Sequence, residues 1–173
     1  MSWCLRSYYA CVTLPGVAND AGLDDLLGKF ASSVLSELLA GNQSDLWSAF
    51  DDQYDEIQGD NPIPAMVART RDFLSEIDFQ DGSVSMVVQS EYDSAIDCDD
   101  LVDALARFLL PYAAEPYVLL RSASYDNGGG YAHQSICRRS GDQVVIESVP
   151  ELLERLLAAP PHVINSLLDA VAA

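Results

Sequence analysis

The sequence predicts an α+β fold: a single acidic domain over residues 1–173, with about five strands in one mainly antiparallel sheet and about six helices. The expected order is β-α-α-α-β-α-β-β-β-α-α. Three observations carry this expectation. Apolar residues recur at three- and four-residue spacing in the segments that follow a first β-rich run. Three short β-rich runs beyond Tyr117 are separated by tight-turn residues. No internal repeat or low-complexity linker divides the chain.

Ser7 to Leu14 (SYYACVTL) is rich in β-formers and stops at Pro15-Gly16, which reads as a strand ending in a turn. Asn19 or Asp20 caps the first helix. Its Leu23, Leu26, Leu27, Phe30, Val34, Leu35 and Leu38 form one apolar stripe, and Gly41-Asn42 ends it. Ser44 caps a second helix running to about Gln58. At 100° per residue, Leu46, Trp47, Phe50, Tyr54 and Ile57 fall within an arc of about 100°. Asp45, Asp51, Asp52, Asp55 and Glu56 occupy the opposite arc.

Gly59 to Pro64 breaks that helix, and a third is expected from Ile63 to Ile77, with Met66, Val67, Phe73, Leu74 and Ile77 inward. Val84 to Gln89 reads as a strand after the Asp81-Gly82 turn. Asp97, Asp99 and Asp100 open a fourth helix, Leu101 to Tyr112, where anions suit the macrodipole. Pro111 and Pro116 bracket its exit. Tyr117–Ala123, Tyr131–Arg138 and Val144–Ser148 read as an antiparallel meander, turning at Asp126–Gly130 and at Ser140-Gly141-Asp142. Pro150 starts a helix (LLERLLAA), and Pro160-Pro161 separates it from a last one (HVINSLLDAVAA). Those two helices could serve a homodimer as readily as the core.

Charge is the unusual quantity. Asp and Glu number 27 against nine Lys and Arg, a net of −18, with an isoelectric point near 4.1. Hydrophobic residues still make up 49% and mean hydropathy is +0.07, which excludes a disordered acidic tail. Small domains sit comfortably at a net charge of roughly 2–8 in magnitude, and self-repulsion beyond that costs stability. The excess is also localised: Asp20 to Asp103 holds 20 acids and three bases (Lys29, Arg69, Arg71), a net of −17. Nucleic acid and anionic membrane are repelled by such a chain, whereas a basic protein, a metal ion or a polycation is attracted.

Catalytic patterns are missing. His133 and His162 have no partner at motif spacing, and GxSxG is absent. His133 and Cys137 share a strand face, but their separation of about 13 Å in extended chain argues against a thiolate–imidazole pair. Asp93, Asp97, Asp99 and Asp100 lack the glycine and bidentate Glu of a calcium loop, and helix capping accounts for them. Gly128-Gly129-Gly130 links strand to strand, so it is a hairpin tip and not a phosphate loop. The cysteines Cys4, Cys11, Cys98 and Cys137 form no CxxC pair and read as reduced and structural. No cofactor or metal is expected. The N-terminus lacks a signal-peptide core and no apolar run reaches the ~20 residues of a membrane span, so a cytoplasmic protein is expected.

In size, isoelectric point and clustered carboxylates (Asp51-Asp52-Gln53-Tyr54-Asp55-Glu56 and Asp97-Cys98-Asp99-Asp100), the chain resembles the small acidic anti-defence proteins of phages and mobile elements, of the anti-CRISPR and anti-restriction, DNA-mimic type. The resemblance covers about residues 20–103, and those families share no common fold. It implies a non-catalytic inhibitor occupying the basic nucleic-acid-binding surface of a CRISPR effector or restriction enzyme. Helix geometry nominates Asp45, Asp51, Asp52, Asp55 and Glu56 as one partner-binding face, with Asp97, Asp99 and Asp100 as a second cluster. Carboxylates at i,i+3 and i,i+4 lie ~5–6 Å apart, a spacing that a phosphate-binding groove tolerates. The same physics suits an immunity protein covering a nuclease toxin, and a small enzyme with an unrecognised carboxylate site is the rival from another class.

Overall fold

The computed structural model describes residues 5–40, 50, 61–92, 99–126 and 129–151. Strand β1, Leu5–Pro15, is followed by helix α1, Asp20–Leu39, and helix α2, Pro62–Arg71. The hairpin β2, Leu74–Gln80, and β3, Ser83–Tyr92, comes next, then helix α3, Asp99–Leu109, which runs into a 3-10 turn at Leu110–Tyr112. Strands β4, Tyr117–Asp126, β5, Gly129–Ser140, and β6, Gln143–Ser148, complete the described chain. One six-stranded sheet has the order β2-β3-β1-β4-β5-β6, and every pairing is antiparallel.

The antiparallel sheet, the first and fourth helices and the terminal meander agree with the expectation. The strand count does not: the described residues form six strands, because the segment expected to carry the third helix on to Ile77 leaves the helix at Arg71. Local physics explains the departure. Asp81 and Gly82 both take positive φ, 51° and 77°, the type I′ geometry that matches strand twist and closes a two-residue hairpin. Such a turn demands a strand on each side. Opposite Met86, β2 carries two residues, Glu76 and Ile77, in a bulge, and Glu76 sits at φ 51°. The extra residue shifts the alternation so that Leu74, Ile77 and Phe79 all pack against the core. With Phe73, that spacing imitates a helical stripe.

Sheet alternation defines the core. Ala10, Val12 and Leu14 of β1, Val84, Met86 and Val88 of β3, and Val118 and Leu120 of β4 are buried on one face. Helix α3 lays Leu101, Val102, Leu105, Ala106 and Leu109 on that face, the one-sided pattern of a half-buried helix. Helix α1 is capped by Asn19, whose Oδ1 accepts from the Gly22 N–H at 2.9 Å. It buries Leu23, Leu27 and Phe30, and the Phe30 and Phe108 rings meet at 5.3 Å between centroids and 59° between planes, which joins α1 to α3. Phe50 is fully buried in the same core, on the side the sequence assigns to it. The rest of the expected Ser44–Gln58 helix, and the C-terminal helices beyond Glu151, lie outside the described residues.

Candidate functional site

Most of the nominated acidic face cannot be placed. Asp45, Asp51, Asp52, Asp55, Glu56 and Asp97 lie outside the described residues. Asp99 and Asp100 open α3, as helix capping requires, and Asp100 is exposed.

Among the described acids, three arrangements differ in what the carboxylates meet. At the start of α1, Arg71 of α2 reaches across the helix pair. Its Nε donates to Asp24 at 2.6 Å and its Nη2 to Asp20 at 3.0 Å. The Asp24 bond, first among the causes, holds the Arg71 proton more tightly than usual. One turn along α1, Lys29 pairs with Asp25 at 3.1 Å. These contacts rim a groove of about 810 Å³ between α1 and α2, where acids and bases balance. The Asp20–Asp25 cluster is therefore largely compensated from within.

The β2–β3 hairpin is the opposite case. From Asp72 to Ala106 the chain carries ten acidic residues and no Lys or Arg. Glu76, Asp78 and Asp81 are exposed along the β2 edge, and the sequence reading missed them because it assigned this stretch to a helix and a turn. Asp78 accepts only from the Gln80 amide, at 2.6 Å. A run of acids without bases on an edge strand also blocks edge-to-edge pairing.

The third arrangement is partly buried. Tyr8 of β1 donates its hydroxyl to Asp103 Oδ1 of α3 at 2.5 Å. Burial pushes the Asp103 carboxyl above its ordinary value, while the Tyr8 hydrogen bond pulls it back. Register places Ser90 and Ser122 on either side of Tyr8, both buried under the helices. One turn further along α3, Arg107 donates from Nη1 to the Val144 carbonyl at 2.6 Å, tying the helix to the outermost strand β6. Cys137 of β5 is fully buried, and burial pushes its thiol up to about 11. Asp103 lines neither the α1–α2 groove nor the two cavities at the far sheet face. Its role here is to anchor α3 to β1.

The remaining expectations resolve simply. His133 is an exposed residue of β5, and the Gly129-Gly130 pair begins that strand after the β4–β5 turn. Cys11 is exposed and Cys137 buried, both as free thiols. Among the described residues no group of three or more His, Cys, Asp or Glu is arranged to hold a metal ion. No helix among them is long and apolar enough to cross a membrane. The chain matches no protein-family model, no curated protein and no solved structure.

Proposed function

We propose that the protein is a non-catalytic acidic binding protein that occupies the basic nucleic-acid-binding surface of a partner, such as a CRISPR effector or a restriction enzyme. The supporting observation is the spatial segregation of charge. The sheet order places β2 and β3, with Glu76, Asp78 and Asp81 and no base, at one edge. Arg121, Arg138 and Arg139 all lie on β4 and β5, beyond the central strand β1. Of the bases within Asp20–Asp103, Lys29, Arg69 and Arg71 are each held by an aspartate, so they add little positive potential to the helical side. A phosphate-binding groove lined with Lys and Arg would meet an uncompensated acidic edge, with fast and salt-sensitive association.

The test is capture of partners by the tagged protein from a lysate of its source cells, washed at low salt and at ~1 M salt, where the Debye length falls to about 3 Å. A basic nucleic-acid-binding protein is expected at low salt, with much less at high salt, and duplex DNA should displace it. Replacing Asp52, Asp55 and Glu56 together by Lys should abolish capture and leave the fold intact; so should Glu76→Lys with Asp78→Lys if the β2 edge belongs to the interface. Capture unchanged in both variants would reject the acidic interface. A captured toxin nuclease would instead identify an immunity protein. The partly buried, upward-shifted Asp103 beside Tyr8 favours the second reading, a small enzyme with a carboxylate site. That reading requires a substrate whose turnover is lost in Asp103→Asn.

A further inference from the structure

Pro116 has no N–H to donate, and the β4–β5 ladder ends beside it at the pair Tyr117–Arg138. Strand β5 continues past that point through Arg139 and Ser140, paired only with β6. The sheet therefore has a notch at the start of β4. The chain leaving α3 passes along it and is held midway: the Ala113 N–H donates to the Leu110 carbonyl at 3.3 Å and the Ala114 N–H to the Thr13 carbonyl at 2.8 Å. Pro111 and Pro116 remove backbone freedom on either side, so the cavity is formed before any ligand arrives.

The notch encloses about 680 Å³, inside the range of roughly 300–1,000 Å³ common for small-molecule sites. Its wall is apolar, from Leu110, Pro111, Pro116 and Ile136, with Tyr117 44% exposed at the mouth. Arg138 is locked: its Nε donates to Glu147 at 2.8 Å and its Nη1 to the Arg139 carbonyl at 3.0 Å.

Two charges on this cavity are left over. Arg139 and Glu115 both line it and both are exposed. Neither has an ion-pair or hydrogen-bond partner for its side chain among the described residues, and they do not pair with each other within 4.0 Å. Lys29, Arg69, Arg71 and Arg138 lie against carboxylates, whereas Arg139, like Arg121, has no ion pair among the described residues. A free cation and a free anion on one apolar cavity are complementary to a molecule that carries both charges beside an apolar body.

We propose that the notch binds a small zwitterion of the apolar α-amino acid class, with its carboxylate on Arg139, its ammonium on Glu115 and its side chain against Ile136 and Pro116. Arginine suits the carboxylate end because its planar fork donates two parallel hydrogen bonds. The site does not depend on the partner reading, although Glu115 also shares a neighbouring cavity with Glu76 of the β2 edge.

The test is a titration of the full chain with phenylalanine, followed by backbone amide shifts in two-dimensional NMR, with phenylacetate and phenethylamine as single-charge controls. Saturable shifts are expected at Ala113, Ala114, Ile136 and Arg139. Each control should bind about tenfold or more weakly, since one charge contact is lost. Arg139→Gln should reduce phenylalanine binding to the level of phenethylamine, and Glu115→Gln to that of phenylacetate. Both positions are exposed, so neither change threatens the fold. Absence of saturable shifts, shifts located elsewhere, or a control that binds as well as phenylalanine would each overturn the assignment.

Discussion

Tyr8→Phe isolates one hydrogen bond between the central strand and α3, and its cost should depend on pH. The Tyr8 hydroxyl lies 2.5 Å from Asp103 Oδ1 in a partly buried setting. A hydrogen bond to a charged group contributes about 1.5–3 kcal/mol, and one between neutral groups about 1 kcal/mol. Burial raises the Asp103 carboxyl above 3.8 in the folded state, so the folded state binds a proton that the unfolded state has released. Stability from this group is therefore present below the unfolded value and is lost as pH rises through the folded one. The Tyr8 bond favours the ionised carboxylate and limits that loss. Removing the bond raises the folded value further and enlarges the loss at neutral pH. Tyr8→Phe should cost about 2 kcal/mol at about pH 7, or roughly 4–8 °C in Tm for a chain of this length. As pH falls below the raised folded value and the Asp103 carboxyl takes up its proton, the cost should fall to about 1 kcal/mol. Urea unfolding followed by circular dichroism, compared with the wild type at each pH, cancels the global charge effects. In an Asp103→Asn background the cost of Tyr8→Phe should no longer vary with pH. A cost below about 0.5 kcal/mol at neutral pH, or an equal cost above and below the folded value, would refute this account of the pair.

Glu76→Gly should leave stability unchanged or raise it by up to about 1 kcal/mol, because a side chain at φ 51° in the β2 bulge costs energy that glycine avoids; Glu76→Val should lose more than about 1 kcal/mol, and chemical denaturation separates the two. Peptide mapping after brief alkylation near pH 8 should find Cys11 modified and Cys137 untouched until the chain unfolds, since Cys137 is buried with its thiol pushed up to about 11. Leu120→Ala, which removes a fully buried side chain from the inner face of β4, should cost about 2–5 kcal/mol in urea unfolding.

What the sequence made legible was local and periodic. The α1 stripe, the Asn19 cap, the amphipathic α3 and the Gly141 turn of the meander all follow from spacing and turn chemistry. Burial of Phe50 agrees with the arc that assigns it to the core. The error at β2 arose where local signals conflicted. Helix α2 ends at Arg71 without a glycine or proline, and its last turn closes through the Asp72 and Phe73 N–H groups on Arg69 and Thr70. The bulge then gives Leu74 and Ile77 the three-residue spacing of a helix. The Asp81-Gly82 turn carried the correcting information, because a type I′ turn needs two strands and only the one after it was recognised.

The acidic site was legible as composition and not as geometry. Nothing local shows that Arg71 would fold back onto Asp20 and Asp24, 51 and 47 residues earlier, and remove that cluster from the free surface. Nor does composition place Arg139 beside Glu115; that needs the β4 ladder to stop at Pro116 while β5 runs on. Proline spacing marked the break in the chain but not the cavity it leaves.

Topology turns a charge asymmetry along the chain into one across the sheet. Because β1 lies between β3 and β4, the base-free β2–β3 hairpin and the arginine-bearing β4–β5 pair fall on opposite sides of it. At about 4.8 Å per strand, β2 and β5 are roughly 19 Å apart, more than twice the Debye length of about 8 Å at physiological salt. Arg139 and the β2 acids are thus screened from each other, whereas Glu115 shares a cavity with Glu76. Lysine at Asp78, which lines neither cavity, should weaken capture of a basic partner without altering ligand binding in the notch. Glutamine at Arg139 should do the reverse. If either change affects both readouts, the surfaces are coupled through the fold, and the charge on β2 contributes to holding the sheet in register as well as to recognition.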